Sequence, residues 1–365
     1  MEERALTEKL IAYDSSGAEG VRLAAGFVKG WLEAHDIEAR QLDVRGLPIT
    51  VAEIGPPGGP TVLFHGHLDV VPGRPGQFEP HADGERLIGR GAYDMKGALA
   101  GMLLALHDLR DTTKVRIRLG VVPDEESEEE AERGSDQLVR DGFVGDFVIT
   151  GEPTNMHIGV EAKGVLAMRL EVGGRAAHGA TPWLGDNAIV KALEVFRSIE
   201  SLPFAQQSSE LFDRPSINLG RILGGDALNK VPDTCVIDVD IRYLPTQDPA
   251  AILEEVRDLP GAEVISTFSR PPASVDRDSV FVRTLVEAAA PHLGGEPLSV
   301  GRDGASDAVS FLRSGIPAVE FGPVGSGHHG PEEWVSIPSL ADYRRALTDF
   351  IQGLPDRVSR EAGAN

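Results

Sequence analysis

Cysteine is nearly missing from this chain, with Cys235 the only one in 365 residues. A single thiol cannot close an intramolecular disulfide or build a cysteine cluster around a metal, and the shortage fits a reducing compartment. Positive charge is also scarce. Lys and Arg number 35 against 57 Asp and Glu, a formal net charge of -22, which argues against the clustered cations that nucleic-acid phosphates require. No apolar run approaches the roughly 18 residues of a membrane-spanning helix. The opening MEERALTEKL carries acidic residues where a signal peptide would need an apolar stretch, so a cytoplasmic setting is expected. A G-x-S-x-G nucleophile elbow is absent too, which disfavours a serine hydrolase.

What is present is an ordinary globular composition, 41% hydrophobic and 25% charged. At about 150 residues per domain the length allows roughly two domains. Helical spacing of apolar residues runs over Leu6–Tyr13 and Gly20–Ala34. Strands are expected at Ile49–Ile54 and Thr61–Phe64, on either side of GPPGGP. Helix, strand, helix and strand then follow at Gly97–Leu109, Val115–Val122, Glu128–Asp141 and Phe147–Thr150. Such alternation predicts an α/β fold, a mainly parallel sheet covered by helices on both faces. Near Gly164 the texture changes. Val165–Val172, Ile217–Leu223 and Cys235–Tyr243 alternate, while Asn187–Ser201 and Pro249–Leu259 read as helices, so an α+β unit is inserted over 164–276. The first texture resumes in a helix from Asp276 to Ala290, a helix at Ala305–Ser314, a strand at Ala318–Phe321 and a last helix at Leu340–Gln352, with a frayed tail beyond Leu354. The main domain is therefore discontinuous, 1–163 and 277–365.

Ligands of α/β sheets gather beyond the carboxyl ends of the strands. Here those ends carry one kind of chemistry. TVLF runs into His65-Gly-His67-Leu-Asp69, GRGAY into Asp94, IRLGVVP into Asp124-Glu125-Glu126, DFVIT into Gly151-Glu152, and AVEF into a glycine-rich loop holding His328 and His329. Carboxylate and imidazole are the donors preferred by zinc and similar divalent ions. Singly, each has a plain structural explanation: a hydrogen-bonded core histidine, a turn or N-cap aspartate, the acidic first turn of an exposed helix. Five strand ends alike are harder to explain that way.

FHGHLDVVPG, GRGAYDMKG, DEESEE, GEPT, GRAAHGATPWLGDNAI, LNKVPDTC, VDIRYLP, GASDA and HHGPEEW appear in that order. In these nine segments the chain resembles the dinuclear zinc amidohydrolases that include acetylornithine deacetylase, succinyl-diaminopimelate desuccinylase, aminoacylase and glutamate carboxypeptidase. The resemblance implies two divalent metal ions per chain, zinc before cobalt or manganese. His67 and Glu152 would bind one and Glu126 and His329 the other, with Asp94 bridging. It also implies Glu125 as general base, Asp69 as the residue that orients His67, and a cis peptide after Asp94. His329 is chosen by its spacing to Pro331 and Glu333, with His328 the alternative; His65 is not a ligand position. In the inserted unit, the resemblance makes His178 the oxyanion donor across a homodimer interface. Arg242 and Asn229 would bind the substrate's free carboxylate, and Gly304 and Ser306 would line the substrate.

The chemistry fits these residue types. Two divalent ions about 3.5–4 Å apart hold a shared water, lower its pKa toward 7 and polarise the scissile carbonyl. Glu125 would take the water's proton and pass it to the leaving amine. The expected reaction is hydrolysis of the amide of a small N-acyl amino acid, like that of acetylornithine deacetylase or succinyl-diaminopimelate desuccinylase. A dipeptidase or glutamate carboxypeptidase-like exopeptidase is the alternative. A catalytically silent binding protein is disfavoured because the base and all five ligand positions are intact.

Overall fold

The computed structural model describes residues 2–126, 133–295, 297–304 and 307–364. They form two compact units: Met1–Val160, Val275–Val300 and Asp307–Asn365 in one, Glu161–Ser274 with Gly301–Ser306 in the other.

In the first unit the sheet runs Ala39–Val44, Leu47–Ile54, Arg116–Val122, Thr61–His67, Phe147–Thr150, Ala318–Glu320 and Ile158–Ala162. The four inner strands from Arg116–Val122 to Ala318–Glu320 are mutually parallel. Antiparallel pairs flank them. Inner strands such as Phe147–Thr150 are buried along their whole length, the continuous apolar pattern of a sheet with both faces covered. On one face the helix Gly97–Leu109 packs against Glu2–Ile11 and Ile337–Ala364. On the other, Leu138 of the helix Gly134–Arg140 and Phe311 of Ala308–Leu312 join Leu63, Val148 and Ile49 in one cluster. A mixed α/β architecture with a mainly parallel centre is thus as expected from the sequence.

Parallel strands end on the same edge of the sheet, so His67, Asp124 and Glu152 leave it side by side. A second sheet supplies the remaining histidine. Its strands Gly325–Ser326 and Trp334–Ser336 pair antiparallel, and His328 and His329 lie in the loop they enclose.

The second unit holds an antiparallel sheet ordered Ser216–Gly224, Thr234–Tyr243, Gly164–Gly173, Ala262–Arg270. Alternate residues of Thr234–Tyr243 are buried. They pack, with Leu166 and Leu170, against Val195 of the helix Ala188–Glu200 and Ile252 of the helix Pro249–Arg257. Side chains start both helices: Asn187 accepts from Ile189 N at 2.9 Å, and Asp248 from Ala250 N at 2.9 Å.

Some elements depart from the sequence reading. Strands Ala39–Val44 and Ala262–Arg270 were not expected; each lies at a sheet edge, where few positions are buried and apolar alternation fades. The helix expected over 128–141 is described as Gly134–Arg140, its first residues and Ala305 of the later helix lying outside the described residues. The tail is not frayed after Leu354 but continues as helix to Ala364. Leu354 is fully buried, and an Arg357–Glu287 ion pair ties the extension to the helix Val280–Leu293.

Tyr343 of the last helix is fully buried, its ring 5.2 Å from that of Phe321. Its hydroxyl has no hydrogen-bond partner among the described residues. Tyr343→Phe should therefore leave stability unchanged or raise it by up to about 1 kcal/mol, while Tyr343→Ala should cost about 3–5 kcal/mol. Denaturant melts of the two variants check this; a clear loss of stability in the Phe variant would contradict it.

Candidate metal centre

The centre begins with His67, the last residue of its strand and 1% exposed. Its Nδ1 lies 2.9 Å from the Asp69 carbonyl oxygen, so Nδ1–H donates and the Nε2 lone pair faces the pocket. Nε2 stands 3.2 Å from Asp94 Oδ1 and 3.8 Å from Glu152 Oε1. On the opposite side of Asp94, Oδ2 lies 3.6 Å from His329 Nε2, which is itself 2.8 Å from Glu126 Oε1. Asp94 thus shares its two oxygens between two imidazoles. Among the described residues, His67, Asp94 and Glu126 can bring one ligand atom each within 4.8 Å of one another. His328 points its ring toward Tyr93, at 5.9 Å, while His329 makes the carboxylate contacts.

Asp69 does more than its carbonyl contact. Its carboxylate accepts the backbone N–H of Glu125 at 3.1 Å and of Glu126 at 2.7 Å, so it also fixes the turn carrying both glutamates. Asp94 follows a left-handed Gly91, and the Asp94–Met95 peptide is cis, as the resemblance implies. The Met95 side chain packs against the strand ends: a Cβ at Gly66 would sit 2.4 Å from its Cε, and one at Gly151 would sit 2.5 Å from it and 2.8 Å from Ala98 Cβ. Gly151 of GEPT is therefore a steric requirement of this centre, whereas a Cβ at Gly66 would need the flexible end of Met95 to move.

Electrostatics favour cations here. Burial alone would depress His67, but hydrogen bonds to Asp69 and Asp94 raise its pKa well above the usual value. Hydrogen bonds to Asp94 and Glu126 pull His329 up to about 10. Glu152 is raised well above the carboxylate range by burial and by the charge of Asp94. Glu125 is pushed up to about 8 by burial and then by Asp307. Carboxylates outnumber imidazoles in this pocket, and Glu152 Oε1 is a buried acceptor without a hydrogen-bond partner among the described residues. An all-oxygen-and-nitrogen donor set with an orphaned carboxylate oxygen fits divalent metal.

His65 is not part of the donor set. It is fully buried, held at a pKa of about 4 by burial, and bonded to Thr150 Oγ1 and Ser135 Oγ at 3.0 Å each. In the second unit Gly179 N donates to the Asn229 carbonyl at 2.7 Å, which brings His178 and Asn229 into neighbouring strands of chain. Arg242 lies on the polar face of its strand and donates to Asp240 at 3.0 Å. Gly304 belongs to the same unit, and Ser306 lies outside the described residues.

Two residues with structural work at the centre escaped the sequence reading. Glu333, 1% exposed, accepts the backbone N–H of Gly91, Tyr93 and Asp94 at 2.9, 3.0 and 3.0 Å and the Arg90 guanidinium at 2.8 Å. Arg90 also donates to the His329 carbonyl at 3.2 Å, holding a residue whose φ of 61° is left-handed. The pair joins the Asp94 loop to the His329 loop. The signal was available in HHGPEEW, where Glu333 served only as a spacing marker.

Fold and site define a metal-dependent hydrolase. Residues 63–353 match the Peptidase family M20/M25/M40, and the chain belongs to that family. It is 30% identical over 318 residues to the succinyl-diaminopimelate desuccinylase of Erythrobacter litoralis, covering 82% of each chain. Its fold is that of a tripeptidase from Staphylococcus aureus, with a TM-score of 0.81, 20% identity, and 97% and 98% of the two chains covered. A dinuclear metal-binding peptidase of the M20 family from Bacillus subtilis superposes with a TM-score of 0.67 at 18% identity, over 97% and 99% of the chains.

Removing the Glu333 carboxylate would leave the Arg90 guanidinium and three backbone N–H groups buried without their acceptor. Glu333→Ala should destabilise the protein by about 3–5 kcal/mol and lower its metal content, with Glu333→Gln losing less. Thermal melts and metal analysis measure both; an unchanged Tm in the Ala variant would refute the bracing role.

Proposed function

We propose that this protein hydrolyses the amide bond of a small N-acyl amino acid, with succinyl-diaminopimelate the foremost substrate. The desuccinylase-named relative, similar over 82% of the chain, supports that choice of substrate. The observation that carries the chemistry is the convergence of His67, Asp94, Glu126, Glu152 and the half-exposed His329, with a Glu152 oxygen that has no hydrogen-bond partner among the described residues.

In this reading His67 and Glu152 would hold one zinc ion and Glu126 and His329 a second, with the Asp94 carboxylate available to both. When bound, the metal pair polarises the scissile carbonyl and makes water acidic enough to attack near neutral pH. Glu125 is the general base: it takes a proton from the attacking water and delivers it to the leaving amine. Asp69 fixes the Nδ1–H tautomer of His67 through its carbonyl and holds Glu125 beside Glu126 through its carboxylate. Adjacent glutamates allow one to ligate while the other stays free to move a proton.

The second unit, with boundaries near 164–276, acts as lid and dimerisation domain. His178 supplies a donor to the developing oxyanion in the partner subunit's site. Arg242 and Asn229 take the free carboxylate, the guanidinium fork suiting its two oxygens. Exposed Trp183, Leu184 and Val190 give this unit apolar surface suited to a homodimer contact. No described helix is long and apolar enough to cross a membrane, and the free, buried Cys235 is compatible with a reducing cytoplasm.

Assayed with succinyl-diaminopimelate, acetylornithine and a dipeptide under ninhydrin detection of the released amine, the zinc-loaded enzyme should act best on the first. Preference for the dipeptide would favour the exopeptidase reading instead. Glu125→Gln should keep its metal and lose about 10²–10⁴-fold in kcat, whereas Glu126→Gln should lose metal. Near wild-type turnover in Glu125→Gln would remove Glu125 from its role.

A further inference from the structure

Behind Glu125 runs a chain of buried polar groups that the reaction above does not use. Arg133 Nη1 stands 3.4 Å from Glu125 Oε1 and 3.2 Å from Asp307 Oδ1. The Arg133 side chain is 12% exposed and that of Asp307 3%, so solvent screens their attraction little. The second Asp307 oxygen accepts the Ser135 hydroxyl at 2.5 Å.

Hydrogen counting then fixes every donor in the chain. Ser135 has one hydroxyl hydrogen, and Asp307 takes it, so at 3.0 Å His65 Nε2–H must be the donor to Ser135 Oγ. The Thr150 hydroxyl, also at 3.0 Å, must in turn donate to His65 Nδ1. His65 and Thr150 are register partners on adjacent parallel strands. Asp307 is therefore anchored to the rigid sheet, although it stands outside it, just before the helix Ala308–Leu312.

An arginine reaching from a loop to a lone glutamate can swing with it. Arg133 cannot, because its guanidinium is shared with a carboxylate fixed from behind. The Arg133–Asp307 pair is also neutral as a unit, so Glu125 gains an orienting donor without a net cation beside it.

We propose that Arg133, held by Asp307, is a positioning residue that keeps the Glu125 carboxylate in one orientation for proton transfer. This rests on the reading of Glu125 as the general base. Asp307 gives the aspartate of the GASDA segment a role that the ligand set does not.

The test uses the metal-loaded enzyme and its best amide substrate. Arg133→Ala should lower kcat by about 10²-fold, the scale of a misplaced catalytic group, with KM and metal content unchanged, and should lower Tm because Asp307 loses its buried cation. Guanidinium chloride below denaturing concentration should restore part of that loss and leave the wild type unaffected. Asp307→Asn should cost a similar factor, and the double variant no more than either single one. In a Glu125→Gln background Arg133→Ala should change nothing further. Should Arg133→Ala fail to fold, Arg133→Met keeps the apolar stem and carries the same measurements. Wild-type kcat in Arg133→Ala beside an inactive Glu125→Gln would overturn the positioning role alone, as would a loss that guanidinium does not rescue or that falls on KM instead of kcat. An active Glu125→Gln would overturn the base assignment, and this proposal with it.

Discussion

Repulsion among buried carboxylates is the constraint around which the catalytic unit is built. Like charges about 4 Å apart repel by about 4 kcal/mol at an effective dielectric near 20. Asp94, Glu125, Glu126 and Glu152 gather in one pocket, offset among the described residues by His67, His329 and, beside Glu125, Arg133. Each is held by covalent and hydrogen-bonded structure that does not depend on the pocket being comfortable. Parallel strands fix His67 and Glu152, Asp69 ties down the turn of Glu125 and Glu126, and Glu333 grips the Asp94 loop through three backbone N–H groups. The carboxylates beside His67 and His329 raise both imidazoles, while burial and then the charge of Asp94 raise Glu152.

The same scaffold gives neighbouring glutamates different surroundings. Glu126 faces His329 and Asp94, while Glu125 faces Arg133 and, beyond it, Asp307. Two residues adjacent in sequence thus meet opposite surroundings, one suited to a cation and one to a moving proton. Elements that brace the site are mostly strand ends and buried ion pairs, so precision comes from the sheet and not from the loops that carry the ligands.

Much of this could be read in the sequence because apolar strands announce themselves and their last residues follow directly. TVLFHGH and DFVITGE both show a buried run ending in a donor, and the parallel sheet puts those ends together. The long helix Gly97–Leu109 was likewise visible in full. Edge strands Ala39–Val44 and Ala262–Arg270 were not, since their burial comes from tertiary contacts and leaves no strong alternation. Glu333, Arg90 and Arg133 were missed for a related reason. Their partners are 8 to 243 residues away along the chain, and charged residues in turns look like solvated surface until the fold buries them. The tie of His65 to Asp307 through Ser135 was not legible either, because it depends on residues far apart in sequence.

The claim most exposed to test is that this pocket holds a pair of metal ions. Anomalous diffraction at the zinc edge from crystals of the zinc-loaded protein addresses it directly. The account predicts two peaks about 3.5–4 Å apart, one beside His67 and Glu152 and one beside Glu126 and His329, with Asp94 between them. A single peak, or peaks away from these five side chains, would contradict it.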